Sequence, residues 1–413
     1  MTNQTLIGPF SQVVTMDGLP ERGPIKDDQL TLLEHAGILV QDGRIVSIEP
    51  FEKLAKGFLG VVHELHGKHT ALPGLVDAHT HICFGGNRAR DYAMRNAGMT
   101  YLEIAKAGGG IWDTVTQTRK ASADTLVAHT QKWAKRHLKN GTTTLEVKSG
   151  YGLSVEEELK MLKAIKKANE GNPVDLIPTC LAAHMHPKDH KESPEKYLSE
   201  ISETLFPILK KEGLTNRIDA FVEESAFSPA QIRPYFQKAR ELGFDITVHA
   251  DQFTTGGSAI ALEINAISAD HLEASTDKEI ALLANSNTIA TALPGASMGL
   301  GCAYTPARKI MDAGGRVAIA SDHNPGSAPM GDLLTQAAIL GAYEKLTNAE
   351  VLAGITLRAS QALNLHDRGQ LIPKSLADIA VFHTDNYQDI TYYQGNLKPC
   401  TIFKRGEVVY NKH

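Results

Sequence analysis

The chain has 413 residues, of which 42% are hydrophobic and 22% charged, and its formal net charge is −5 at pH 7. No long run of Lys or Arg appears, which argues against a nucleic-acid or polybasic membrane surface and favours a small-molecule partner. No stretch approaches the roughly 20 apolar residues that cross a bilayer, and the first residues lack the pattern of a signal peptide. The four cysteines are widely spaced without a CxxC pair, as in a reducing compartment. We therefore expect a cytoplasmic protein.

Short strands and turns are predicted at both chain ends. An Asp42-Gly43 turn between the apolar stretches 37–40 and 45–48 is typical of a β-hairpin. Further short strands are predicted within 377–382 and 400–410. We expect the two ends to pair into one small β-sandwich-like domain, made of residues 1–71 and 373–413.

The segment 72–372 alternates apolar runs with stretches of helical period, which favours βα units and a parallel sheet. Eight strands over about 300 residues fit an α/β fold of the (β/α)₈ TIM-barrel type, whose chemistry lies at the C-terminal strand ends. The predicted strands are 72–81, 142–148, 174–184, 217–224, 244–251, 264–271, 288–293 and 317–322.

The first of these strands ends in His79-Thr80-His81. Strand side chains alternate between faces, so the two imidazoles project the same way and could share a metal ion. Two histidines at this spacing occur by chance about as often as they bind a metal, so residues on the remaining strands must show which interpretation applies. Cys83 has the same parity, but a small apolar side chain is the favoured interpretation of that position.

The last polar residues of the other strands supply possible partners. One histidine at a strand end is more often structural than functional, but several at matching positions of one barrel converge on a single mouth. These strand-end residues are His79, His81, His184, His249, His271 and Asp322.

This pattern resembles the amidohydrolase superfamily, whose members are metal hydrolases on a distorted barrel with a small β domain. Within it, the resemblance to the imidazolonepropionase family is close. The Lys148-Ser149-Gly150-Tyr151-Gly152 block and the stretch 324–327 are its most selective motifs. The resembling blocks are 73–90, 100–104 through 108–111, 146–153, 249–257, 268–272, 293–296 and 322–329.

The resemblance implies a metal ion held by His79, His81, His249 and Asp322. Three nitrogens and one carboxylate suit Zn²⁺ or Fe, and the ligand set does not choose between them. Relatives with two metals often bridge them through a modified lysine on strand four. Here strand four ends in Glu223-Glu224 and Lys148 lies on strand two, so we expect one metal ion per chain.

The implied reaction is hydrolysis of 4-imidazolone-5-propanoate to N-formimidoyl-L-glutamate, a step of histidine degradation. Asp322 is the candidate for moving the proton from water to the departing nitrogen, and His271 for orienting the water or stabilising the oxyanion. At Gln252 the family has Glu or Gln. Since an amide cannot accept a proton, this residue is expected to hydrogen-bond the substrate only.

Arg88 offers a planar fork suited to the propanoate carboxylate, although a solvated loop arginine is the alternative. The glycines at 85–86 and 108–110 match no phosphate-binding pattern and are predicted to be turns in a long first loop that could cover the site. The family further implies a substrate-binding set that comprises Arg88, Tyr151, His184, Gln252, Asn324, Gly326 and Ser327.

Two alternatives stay open at this point. Another amidohydrolase, such as a nucleobase deaminase or a different cyclic amidase, would keep the metal site and change the pocket. A non-catalytic barrel scaffold is a second alternative, although such proteins typically lack the metal ligands. The family resemblance also implies a homodimer, which no feature of the sequence tests.

Overall fold

The computed structural model describes residues 4–412, without the side chains of residues 101, 102 and 105. Residues 1–3 and 413 of the predicted small domain, and the side chains of Tyr101 and Leu102 in the resembling block, lie outside this description. The strands are β1 (Gln4–Val14), β2 (Leu32–Gln41), β3 (Arg44–Pro50), β4 (Val61–Glu64), β5 (Thr70–Pro73), β6 (Leu75–Asp77), β7 (Thr142–Lys148), β8 (Asp175–Ala183), β9 (Arg217–Val222), β10 (Asp245–Ala250), β11 (Ser268–His271), β12 (Ile289–Ala292), β13 (Val317–Ile319), β14 (Ile379–Phe382), β15 (Thr401–Lys404) and β16 (Glu407–Asn411).

Most of the helices lie between strands β6 and β14 in the chain. A π-helical turn at Ile201–Leu205 connects the helices Pro194–Glu200 and Phe206–Glu212. The α-helices are α1 (Phe51–Ala55), α2 (Ala89–Asn96), α3 (Tyr101–Lys106), α4 (Ile111–Lys120), α5 (Ala123–Lys139), α6 (Val155–Asn169), α7 (Pro194–Glu200), α8 (Phe206–Glu212), α9 (Pro229–Glu241), α10 (Gly257–Glu263), α11 (Asp277–Ala284), α12 (Pro294–Leu300), α13 (Ala307–Asp312), α14 (Leu333–Glu344), α15 (Asn348–Gly354), α16 (Leu357–Ala362) and α17 (Gln388–Tyr392).

Strands β6 to β13 form a parallel barrel in which each strand pairs with its neighbours in sequence. The two edge strands meet just beyond their ends, where Thr80 and His323 form a parallel bridge. There the Asp322 amide donates to the His79 carbonyl at 3.0 Å, and the His81 amide donates to the His323 carbonyl at 2.9 Å. The predicted barrel is confirmed, and its seam closes at the predicted metal ligands.

The two chain ends build a second, mixed sheet, as predicted. Its strand order is β16-β15-β14-β5-β1-β2-β3, with β4 added in parallel to β1. The predicted hairpin is present between β2 and β3, where Asp42 and Gly43 both have positive φ angles, 51° and 76°. Two such residues give a turn whose twist matches that of the strands. The domain boundaries at 71/72 and 372/373 stay predictions.

The prediction of one continuous strand over residues 72–81 is wrong. Strand β5 pairs with β14 in the small sheet, and β6 is a separate strand of the barrel. The chain passes between the sheets at Gly74, whose amide donates to the Asp378 carbonyl at 2.8 Å. A Cβ at Gly74 would lie 2.3 Å from Thr143 Oγ1, so only glycine fits this crossing. His79 and His81 therefore follow the first barrel strand rather than lie within it.

Amphipathic helices cover the barrel. Helix α5 begins at Ser122, whose hydroxyl accepts a hydrogen bond from the Thr125 amide, and its buried face includes Leu126, Ala134 and Leu138. Within residues 4–412, no helix combines the length and apolar character needed to span a membrane.

Candidate metal centre and active site

A cavity of about 590 Å³ opens at the C-terminal ends of the barrel strands. Most of the predicted site residues line it, and the two others lie directly behind the lining: His79 against His81, and Gly326 against Arg88. The predicted residues on the cavity wall are His81, Arg88, Tyr151, His184, His249, Gln252, His271, Asp322, Asn324 and Ser327.

The predicted metal ligands converge at the floor of this cavity. His81 Nε2 lies 3.2 Å from His79 Nε2 and 3.3 Å from His249 Nε2. Asp322 Oδ1 lies 3.4 Å from His81 Nε2 and 3.6 Å from His79 Nε2. His271 also has a ring nitrogen within 4.8 Å of ligand atoms of His79 and His249. The sequence prediction that these strand ends meet is confirmed.

The second nitrogens of two ligand histidines face carboxylates. His79 Nδ1 lies 2.7 Å from Asp270 Oδ2, and His249 Nδ1 lies 2.9 Å from Asp219 Oδ2. We assign the ring protons to these Nδ1 atoms, which leaves lone pairs on both Nε2 atoms. Burial lowers the pKa of His79 well below its usual value and that of His249 to about 4, so both rings are neutral. Neutral nitrogens with converging lone pairs repel one another, and a metal cation between them removes the conflict, so the residues fit a metal ion.

Lys148 lies beneath these carboxylates and is fully buried. Its ammonium group is 2.8 Å from Asp219 Oδ2, 2.8 Å from Glu146 Oε2 and 3.9 Å from Asp270 Oδ2. Burial alone would lower the pKa of Lys148, but the three carboxylates raise it above its usual value. The positioning roles of Asp219 and Asp270 were not predicted from the sequence. Each is a single acid within an apolar strand, three residues before the end of β9 and one before the end of β11.

Asp322 and His271 differ in their proton affinity. Burial would raise the pKa of Asp322, but hydrogen bonding and charge interaction with His81 and the neighbouring histidines lower it below its usual value. Burial would lower the pKa of His271, but Glu273, whose Oε1 lies 3.4 Å from Nδ1, and Asp322 raise it above its usual value. A carboxylate that stays ionised and an imidazole that holds a proton therefore lie side by side.

Tyr151 and His184 form one wall of the cavity. His184 stacks on His81 with ring centroids 5.5 Å apart and an interplanar angle of 22°, and its Nδ1 is 2.9 Å from the Gly150 carbonyl oxygen. That carbonyl holds the Nδ1 proton, so the other ring nitrogen is an acceptor. Burial raises the pKa of Tyr151, which keeps its hydroxyl protonated.

Arg88 and residues of the 324–327 turn also line the cavity. The Asn324 side chain donates from Nδ2 to Asp322 Oδ2 and to Ser327 Oγ, both at 2.9 Å. Its Oδ1 accepts from the Gly326 and Ser327 amides at 2.8 Å. Asn324 therefore shapes this turn and holds Asp322 at the same time. Arg88 is buried, and its Nε donates to Asp91 Oδ2 at 2.8 Å.

Strand β9, the fourth strand of the barrel, is followed by Glu223. Its carboxylate accepts from the Phe253 amide at 2.8 Å, the Thr254 amide at 3.0 Å and the Thr254 hydroxyl at 2.6 Å. Glu223 therefore fixes the loop that carries Gln252 into the cavity.

Two residues that flank the metal ligands point away from them. His323 Nδ1 lies 2.8 Å from His137 Nε2, and its ring packs edge-on against Trp133 at 4.9 Å. Cys83 Sγ faces the Met161 carbonyl oxygen at 3.9 Å, and burial raises the pKa of its thiol to about 12. The predicted packing role of Cys83 is confirmed, and His323 likewise packs against neighbouring rings.

Comparison with known proteins agrees with this architecture. The model of the Amidohydrolase family matches residues 70–409. The imidazolonepropionase of Alkaliphilus oremlandii (strain OhILAs) is 38% identical over 411 residues, which cover 98% of this chain and 97% of the relative. The imidazolonepropionase of Bdellovibrio bacteriovorus is 37% identical over 413 residues, or 98% of this chain and 96% of the relative.

Solved structures share the fold at much lower identity. A triazine hydrolase variant superposes with a TM-score of 0.77 at 16% identity and covers 99% of this chain and 95% of its own. An adenosine deaminase from Xanthomonas campestris, solved with bound zinc, has a TM-score of 0.72 at 17% identity, with coverages of 99% and 93%. The family match and the full-length relatives together establish that the chain belongs to the amidohydrolase family and, within it, to the imidazolonepropionases.

Proposed function

We propose that this protein hydrolyses 4-imidazolone-5-propanoate to N-formimidoyl-L-glutamate, a step of histidine degradation. The observation that carries the proposal is one cavity in which Arg88 and the converging nitrogens of His79, His81 and His249 lie together. A guanidinium suits the propanoate group, and the cluster of nitrogens suits a hydrolytic metal ion. Relatives named imidazolonepropionase match over nearly the whole chain.

The metal would be one Zn²⁺ or Fe ion per chain, held by His79, His81, His249 and Asp322. When bound, such an ion lowers the pKa of a water molecule towards about 7 and polarises a carbonyl. A single ion is supported by the engagement of Glu223 with the 253–254 loop and of Lys148 with three carboxylates.

The chain's own side chains would move the protons. Asp322, ionised at neutral pH, takes the proton from the attacking water and delivers it to the ring nitrogen as the C–N bond breaks. His271 holds a proton more tightly than an ordinary histidine, so it orients the water and donates to the oxyanion that develops on the ring carbonyl.

The remaining cavity residues would bind and orient the substrate. Arg88 binds the propanoate, and the Tyr151 hydroxyl donates a hydrogen bond. His184 and Gln252 contact the ring, and Gln252 moves no proton because it is an amide. The turn with Asn324, Gly326 and Ser327 closes the site beside Arg88.

The experiment is a metal determination on the pure protein combined with a hydrolysis assay. We expect about one equivalent of metal per chain, loss of activity with a chelator, and recovery with Zn²⁺ or Fe²⁺. Imidazolone propanoate should be preferred over guanine, cytosine and dihydroorotate. Preference for a nucleobase would overturn the proposed substrate. Two equivalents of metal per chain would overturn the single metal site. A protein that binds no metal and stays inactive would favour the non-catalytic scaffold.

We also infer from the family that the protein is a cytoplasmic homodimer. Light scattering on the purified protein measures the mass directly. A monomer at micromolar concentration would contradict the inferred dimer.

A further inference from the structure

We propose that Asp91 is the positioning residue of the carboxylate clamp: it fixes the Arg88 guanidinium so that one edge of the fork faces the substrate. The proposal rests on the proposed function, because it takes Arg88 as the group that binds the substrate carboxylate. Asp91 does not line the cavity and would act on the substrate through Arg88.

The Asp91 carboxylate joins two ends of the first barrel loop. Its Oδ2 atom accepts from Arg88 Nε at 2.8 Å and from the Gly110 amide at 2.8 Å, and both side chains are buried, with 8% of Arg88 and 3% of Asp91 exposed. Since Nε is bound to Asp91, the two terminal nitrogens of Arg88 form the other edge of the guanidinium group. A second carboxylate can bind that edge in the two-point manner typical of arginine.

Glycines make room for this arrangement at both ends. A Cβ at Gly109 would lie 2.3 Å from Asp91 Oδ1, and a Cβ at Gly326 would lie 2.2 Å from Arg88 Nη1. Gly110 has a φ of 81°, which turns its amide toward Asp91 at the start of α4. Gly109 and Gly110, which match no phosphate-binding motif, therefore make room for Asp91 and hold its carboxylate.

The physical benefit is preorganisation. A free arginine loses rotamer entropy when it binds a ligand, whereas Arg88 is already held by an ion pair and by close backbone contact. Because the clamp acts on a part of the substrate that does not react, its loss should weaken binding and leave the chemical step unchanged.

The test compares Asp91→Asn with the parent enzyme, both metal-loaded and full-length. Asparagine keeps the size but loses the charge that orients Arg88. We expect KM for imidazolone propanoate to rise about tenfold, with kcat changed by less than about twofold. Asp113→Asn is the matched control, because Asp113 is a half-buried acid in the first turn of α4 whose carboxylate accepts from Gln117 Nε2. It should leave both constants unchanged.

Binding of two stable probes separates positioning from general damage. The probes are 3-(imidazol-4-yl)propanoate and 4-propylimidazole, which differ in the carboxylate. Asp91→Asn should weaken binding of the charged probe by the same factor by which KM rises. Binding of the uncharged probe should not change. Equal weakening of both probes, a fall in kcat at constant KM, or no change would each overturn the proposal.

The parent enzyme reports on the proposed function separately. If it prefers the charged probe and hydrolyses imidazolone propanoate, the variant alone decides the role of Asp91. A parent enzyme that binds the charged probe but hydrolyses another substrate would overturn the proposed function and leave the clamp standing. A parent enzyme without preference for the carboxylate would overturn both.

Discussion

The two ends of the cavity are built in different ways. The metal end, defined by His79, His81, His249 and Asp322, lies on the ends of barrel strands above the buried Lys148 cluster. The carboxylate end, defined by Arg88 and Asp91, belongs to the first loop and its short helix α2. The fold is shared with a structure only 16% identical to this chain, and barrel folds in general accommodate different substrates through their loops. In this site, the metal ligands and the carboxylate-binding residues therefore lie on different parts of the fold.

The energetic consequences differ in the same way. At the metal end, a lost side chain leaves other buried charges without partners, so the free energy of unfolding and the metal affinity fall together. At the carboxylate end, Arg88 and Asp91 form a single buried ion pair, and Asp91 also accepts from the Gly110 amide, so a lost side chain leaves one buried charge unpaired and acts mainly on ligand binding, at a smaller cost in stability. Each variant below tests this division, from the largest expected effect to the smallest.

Asp322→Ala should have the largest effect. It removes a metal ligand and the proposed proton carrier, so we expect kcat to fall by at least about 10³-fold and metal to be retained poorly. His323→Gln, the adjacent residue that faces His137 and Trp133, is the control and should keep most of the activity. Full activity in Asp322→Ala would remove Asp322 from the mechanism.

The convergence of side chains at the metal end could be predicted from the sequence because polar residues at the ends of apolar strands are visible in a linear pattern, whereas the ligand set itself was implied by the family resemblance. The alternation placed His79 and His81 on one side, and they do converge. The pattern could not reveal that the chain changes sheets at Gly74, because an apolar run does not show which strand it pairs with.

The supporting residues could not be predicted for a different reason. Asp219 and Asp270 lie inside strands, where a single acid carries no periodic signal, and their roles depend on a lysine from another strand. Asp91 lies three residues after Arg88 in a short helix, where the sequence suggests a surface acid. Only the structure shows that Gly109 and Gly110 lie against it. Contacts between elements distant in sequence decide all three roles.

Lys148→Met should have the next largest effect. It leaves Glu146, Asp219 and Asp270 without their shared cation, so we expect the metal-free protein to lose about 3–5 kcal/mol of unfolding free energy. Metal release to a chelator should also be faster, since the carboxylates that orient His79 and His249 are no longer held. Thermal melting with and without chelator measures both effects.

The control for this variant is Lys163→Met on the surface of α6, where the side chain is 53% exposed. It should change the unfolding free energy by less than about 1 kcal/mol. A Lys148→Met protein with unchanged melting and metal retention would show that the buried cluster does not support the metal end.

Arg88→Met should act mainly on substrate binding. Removal of a two-point contact to a carboxylate costs about 1.5–3 kcal/mol, so we expect KM to rise about 10- to 100-fold with kcat reduced only a few-fold. Metal content should match the parent, and the melting temperature should fall less than in the Lys148 variant described above, because only Asp91 loses a charged partner. Arg90→Met, an exposed arginine of the same helix, is the control. An unchanged KM in Arg88→Met would place the propanoate elsewhere in the cavity.

Glu223→Gln should have the smallest effect, and it tests the boundary between the two ends. Glu223 follows a barrel strand, as the metal ligands do, but its carboxylate accepts hydrogen bonds from the 253–254 loop. Glutamine keeps one acceptor oxygen, so we expect KM to rise about fivefold through displacement of Gln252, with kcat and metal content unchanged. Loss of metal in this variant would instead assign Glu223 to the metal end, which would contradict the single-ion site. Metal analysis alongside the kinetics therefore decides whether strand position or hydrogen-bond partner determines what a strand-end residue does.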